Sequence, residues 1–114
     1  MNDCLFCGIV DGKINANLVY QDEFVVAFKD IAPKAPVHIL IIPRRHLVGV
    51  SDIAEENHAL IGQIFQVAAK LAREQGIAQS GYRVVVNSGA DAGQSVFHLH
   101  YHLLGGRQMS WPPG

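Results

Sequence analysis

A chain of 114 residues with nine Lys/Arg against ten Asp/Glu, a formal net charge of −1, has neither a basic field to draw nucleic acid nor an acidic solvating tail. With 49% hydrophobic and 17% charged residues it has the composition of a folded domain, and its length suits one domain over residues 1–114 with a core of its own. The longest apolar runs, FVVAF and ILII, are too short to span a bilayer, and MNDCLFCGIV lacks the basic start and apolar core of a secretion signal, so a cytoplasmic protein without membrane or nucleic-acid partners is expected.

Taken in chain order, Leu5, Phe6, Ile9 and Val10 stand at helical spacing within residues 4–12, with Gly12 as a stop, which predicts a short helix. VYQDEFVVAFKD (19–30) reads as a hairpin turning at Gln21-Asp22-Glu23. IAPKAP is a loop, because Pro33 and Pro36 hold the residues before them extended, and VHILIIP (37–43) is a strand closed by Pro43. Asp52 and Glu55 have the spacing of a capping box. Behind them Leu60, Ile61, Ile64, Phe65, Val67, Ala68, Leu71 and Ala72 recur at helical intervals as far as Gly76. YRVVVN (82–87) is a strand, NSGADAGQS a glycine-rich loop, and VFHLHYHLL (96–104) a strand stopped by Gly105-Gly106. Strands joined mostly by turns, with one long helix, predict an α+β fold in which an antiparallel sheet carries the helix on one face.

The stretch HLHYH concentrates three of the six histidines in five positions. In a strand, His98, His100 and His102 share one face at intervals of about 6.6 Å, lining an accessible groove, while Phe97, Leu99, Tyr101 and Leu103 face the long helix. Two chemistries compete. Three imidazoles suit a catalytic zinc, yet positions i and i+4 of a strand stand about 13 Å apart, too far for one ion without a bulge. The middle imidazole can instead act as a nucleophile positioned by its neighbours. The preceding loop favours the nucleophile: Gly89 and Gly93 allow close backbone approach, amide groups in such a turn form an anion seat, and Ser95 adds a hydroxyl. A free imidazole, with a pKa near 6.5, is largely neutral and nucleophilic at cellular pH without special activation.

His98-Leu99-His100-Tyr101-His102-Leu103-Leu104 closely resembles the signature of the histidine triad (HIT) superfamily, His-φ-His-φ-His-φ-φ with φ apolar. AFKDIAPKAPVHILIIPRRH, RVVVN, AGQSVFHLHYHLLGGRQ and the ending MSWPPG extend the resemblance over nearly the whole chain, and the ending resembles the Hint branch of nucleoside phosphoramidate hydrolases. The resemblance implies a HIT fold: a five-stranded antiparallel sheet with one long and one short helix, two subunits pairing into a continuous sheet. It implies hydrolysis of the P–N bond of purine nucleoside 5′-phosphoramidates through a nucleotidyl-histidine, with no cofactor for catalysis. A non-catalytic nucleotide-binding scaffold and a diadenosine-polyphosphate hydrolase are the alternatives. By position, His100 matches the nucleophile, His102 the histidine on the phosphate and leaving group, Ser95 the serine near the departing amine, and His38 a member of the hydrogen-bond network. Asp30 and Ile31 match ribose and base contacts, Asn87, Gly93 and Gln94 the nucleotide-binding loop, and Phe6, Ile9 and Phe28 the purine wall.

Cys4 and Cys7, a C-x-x-C pair, together with His46 and His98 make the ligand set of a structural Cys₂His₂ zinc site, which some bacterial members of the superfamily carry at these positions. The same resemblance implies that the tail, residues 105–114, docks near the dimer interface. Trp111, too apolar to dangle, should dock with it.

Overall fold

Five short runs of β-branched and aliphatic residues find one another as strands. The structure, a computed structural model, describes residues 3–114. Met1 and Asn2, which the single-domain expectation takes in, lie outside the described residues. Helix α1 (Leu5–Val10) is followed by β1 (Leu18–Gln21), β2 (Val25–Lys29), β3 (Val37–Pro43), helix α2 (His58–Glu74), β4 (Tyr82–Val86) and β5 (Tyr101–Gly105). The strands form one sheet in the order β1-β2-β3-β5-β4, and every neighbouring pair is antiparallel. The α+β sheet, with one long and one short helix, is as expected. No helix among the described residues is long and apolar enough to cross a membrane.

The central strands β2 and β3 carry apolar side chains on both faces, because α2 covers one face there and α1 the other. Val25, Ala27, Ile39, Ile41, Tyr101 and Leu103 meet Ile64, Val67, Ala68, Leu71 and Ala72 of α2 in the larger core. Val26, Phe28, Leu40 and Ile42 meet Phe6 and Ile9 of α1 in the smaller one. Phe65, expected on the buried stripe of α2, is half exposed, its ring edge-on to that of Tyr101 in β5 at 5.5 Å. The expected capping box at Asp52 and Glu55 does not form. Asp52 Oδ2 instead accepts the N–H of Val48 at 2.8 Å, and two single 3-10 turns intervene before α2 begins at His58. The side chain that reaches back is that of Asn57, whose Oδ1 accepts the N–H of Ala54 at 3.0 Å.

The expected strand over residues 96–104 is corrected at its front half: β5 starts at Tyr101, so of the three triad histidines only His102 lies in a strand. The reason is the partner strand. Beyond Ile41↔Tyr101 an extended ladder would meet Pro43, which has no N–H to give. The N–H of Leu99 goes instead to the carbonyl of Leu47. Leu99, Tyr101 and Leu103 still enter the larger core, but Phe97 is 52% exposed. The accessible groove expected for all three imidazoles is also corrected, since His98 is 0% exposed and turned towards α1.

Candidate active site and metal cluster

The sheet register builds half of the site. Leu40 pairs with His102 and His38 with Leu104 across β3 and β5, so both imidazoles project from the face that carries α1. His38 Nε2 lies 2.9 Å from His102 Nδ1, and His38 Nδ1 accepts the N–H of Lys34 at 3.0 Å. An amide N–H can only donate, so in neutral His38 the proton sits on Nε2 and is given to His102 Nδ1. The proton of a neutral His102 is thereby placed on its Nε2, away from His38. Asp30 reaches the same junction: its Oδ2 lies 3.4 Å from His38 Nε2, while its Oδ1 accepts the N–H of Ala32 at 2.8 Å.

Burial sets the charge of this pair. Desolvation, followed by the neighbouring His100 and His38 and opposed by Asp30, pushes the His102 pKa down to about 4. Burial also lowers that of His38, against the pull of Asp30. Both are neutral at pH 7. The unfolded chain binds a proton at position 102 below about pH 6.5 and the folded chain only below about 4, so stability present above the unfolded value is lost as pH falls through that window. Urea midpoints of the wild type should therefore fall between pH 7 and 4.5, and those of His102→Gln should fall less steeply. Parallel curves would refute the assignment.

His100 is oriented differently. Its Nδ1 lies 2.7 Å from the carbonyl oxygen of His98, an acceptor only, so Nδ1 carries the hydrogen and Nε2 is left with its lone pair. His100 and His102 meet with ring centroids 5.1 Å apart. Together they line a cleft of about 400 Å³ with the apolar Phe6, Ile9, Phe28, Leu40 and Val96 and the polar Asp30 and Ser95.

Most of the sequence-predicted residues converge here: Phe6, Ile9, Phe28, Asp30, Ile31, Ser95, His100 and His102 all line the cleft. Ile31 stands fully exposed, so it forms rim rather than wall. Asn87 lines the adjoining groove with His38, Lys34 and Arg107. Gln94 turns into its own loop, donating to the Val48 and Val96 carbonyls at 2.7 and 3.1 Å and accepting the N–H of Gly89 at 2.8 Å. The N–H groups of Gly93 and Gln94 are spent on Ala90 and Gly89, in a turn that Gly89 and Gly93 enter with φ of 90° and 84°. Those two amides are therefore not open to an anion in the cleft, where Ser95, His102, Asn15 and Lys29 remain as donors. Leu40, Val96, Ile14 and Asn15 also line the cleft and were not singled out. Alternation with His38 along β3 could have found Leu40; nothing local marks Asn15.

Two further imidazoles, those of His46 and His98, form a second cluster with the cysteines. One metal-binding atom from each of Cys4, Cys7, His46 and His98 falls in a group no wider than 4.8 Å. His98 Nδ1 lies 3.4 Å from Cys4 Sγ, 3.5 Å from Cys7 Sγ and 3.2 Å from His46 Nδ1, and Cys7 Sγ lies 3.3 Å from His46 Nδ1. A tetrahedron with Zn–S and Zn–N bonds of about 2.3 and 2.0 Å has edges of roughly 3.3–3.8 Å, so the four atoms fit such an ion. The other nitrogen of His98 is fixed 2.8 Å from the Pro43 carbonyl, which leaves Nδ1 as the ligating atom, the outer support usual for a ligand histidine.

The HIT domain family model matches residues 11–109. An uncharacterised HIT-like protein of Synechocystis sp. is 47% identical over 98% of this chain and 97% of its own. A HIT family hydrolase of Legionella pneumophila superposes with a TM-score of 0.97 at 47% identity, covering 98% of this chain and 100% of the other. A histidine triad nucleotide-binding protein of Candida albicans superposes with a TM-score of 0.81 at 30% identity, covering 96% and 83%. With the triad, the sheet and these relatives in agreement, the chain belongs to the HIT domain family.

Proposed function

We propose that the protein is a purine nucleoside phosphoramidase that cleaves the P–N bond of nucleoside 5′-phosphoramidates by way of a nucleotidyl-His100. The observation that carries this reading is the His98 carbonyl on His100 Nδ1, which presents the Nε2 lone pair beside a nucleoside-sized apolar cleft. Relatives named as a hydrolase and as a nucleotide-binding protein support the class of reaction. Phe6, Ile9 and Phe28 hold the base by apolar contact, and Asp30 is within reach of the ribose. His100 Nε2 attacks the α-phosphorus as the P–N bond breaks, and the amine leaves with a proton drawn from solvent through the Ser95 hydroxyl, which lines the cleft. The new P–N bond replaces one of comparable energy. Neutral His102 donates its Nε2 hydrogen to a phosphoryl oxygen, stabilising charge as it develops. Water then attacks phosphorus, releasing the monophosphate and returning the imidazole.

Adenosine 5′-phosphoramidate should be turned over to AMP faster than a diadenosine polyphosphate, measured by chromatography of the products. The reverse order would favour the polyphosphate hydrolase, and tight AMP binding without turnover of either would favour the nucleotide-binding scaffold.

We infer also that Cys4, Cys7, His46 and His98 hold a structural zinc ion, supplying cross-linking rather than chemistry, in the reducing cytoplasm that thiolate ligands suit. The partner, by the same reading, is a second copy. β4 is an edge of the sheet, and Trp111 is 82% exposed although Arg83 holds the neighbouring Ser110 carbonyl at 2.9 Å. Pairing through β4 would satisfy the edge and cover the tail. Sedimentation should give twice the protomer mass at micromolar concentration; a protomer-mass particle would exclude the pairing.

A further inference from the structure

α1 has six residues, too few to hold helical form by its own hydrogen bonds, yet it supplies Phe6 and Ile9 to the cleft. Two things fix it. One is the small core beneath, Val26, Phe28, Leu40 and Ile42. The other is its N-terminal turn. Cys4 caps the helix, its Sγ accepting the N–H of Cys7 at 3.4 Å, and both sulfurs face the imidazoles of His46 and His98. Phe6, between the two cysteines in sequence, sets its ring edge-on to His100 at 5.1 Å and to Phe28 at 5.4 Å.

His98 is a second link between the same two places. Its imidazole belongs to the cysteine–histidine cluster, while its carbonyl oxygen holds His100 Nδ1. The cluster therefore touches the cleft twice, once through the helix that carries its wall and once through the backbone that aims its imidazole. By contrast, the larger core on the opposite face takes no residue from α1.

We propose that metal ligation by Cys4, Cys7, His46 and His98 is what closes the purine pocket, so that nucleotide affinity depends on the ion although the ion touches no nucleotide. The four ligands are positioning residues. Without the ion, α1 opens locally while α2 and the sheet stay folded. This rests on the reading of the cleft as a purine nucleotide site.

The test uses the full chain, stripped by a chelator and then reloaded with Co(II) or Zn(II). Cobalt–thiolate absorption reports ligation, amide exchange compares residues 5–10 with residues 64–72, and calorimetry gives the AMP affinity. Stripping should speed exchange at residues 5–10 and weaken AMP binding, each about tenfold or more, as local opening of one short helix would. Exchange at residues 64–72 should not change, and reloading should restore both properties. Cys7→Ser should resemble the stripped protein and resist rescue, whereas Cys7→His, still a ligand, should be rescued by metal. Absence of cobalt–thiolate absorption, or exchange at residues 5–10 indifferent to metal, would overturn the proposal. AMP bound equally by both forms would overturn it and leave the nucleotide reading standing. AMP bound by neither form would overturn that reading, and the proposal with it.

Discussion

His100→Ala should lower turnover of adenosine 5′-phosphoramidate by about four orders of magnitude or more, the scale seen when a nucleophile is removed from a site that otherwise still binds. AMP affinity should change far less, because the apolar wall, Asp30 and His102 remain. Rapid quench of the wild type with radiolabelled substrate should leave an acid-labile label on His100, and none on His100→Ala. A rate loss below about a hundredfold would make His100 a positioning group and move the bond-forming role elsewhere. His102→Ala should cost less, since the residue supplies a hydrogen bond rather than the bond that forms and breaks. The contrast between these variants separates roles that the HLHYH motif leaves equivalent.

Leu71→Ala should destabilise the protein by about 3 kcal/mol, the middle of the range for a buried leucine whose loss leaves a cavity. Leu71 is fully buried in the seam between α2 and the sheet, where neighbouring side chains are held by two elements and cannot collapse into the space. Phe65→Ala, on the same helix but half exposed, should cost much less despite the larger side chain removed. Chemical denaturation of both variants against the wild type checks the pair. Equal losses would mean that α2 packs by its sequence stripe rather than by the contacts seen here.

Helical periodicity located α1 and α2, and β-branched or aliphatic runs bounded by turn residues and prolines located the strands. These patterns erred where a distant partner decides. Residues 98–103 alternate strictly, yet residues 96–100 leave the ladder because Pro43, more than fifty positions earlier, cannot donate to it. The capping box failed in the same way: Asp52 and Glu55 have the right spacing, but the aspartate accepts the N–H of Val48, which the fold brings to it.

Much of the candidate site was legible as motif, from the triad through Ser95 to the C-x-x-C pair. What no spacing could show is which nitrogen of each of the three adjacent histidines keeps its lone pair. Their tautomers are set by an amide of Lys34 and carbonyls of Pro43 and His98, groups every residue possesses and whose use depends on where the chain returns. The sequence by itself thus determined which side chains the protein has to spend and which backbone periods they favour. Only the tertiary structure decided which nitrogen bears each proton and which nitrogen of His98 faces the two cysteines, because a hydrogen bond is made by approach within about 3 Å, and approach is a property of the fold.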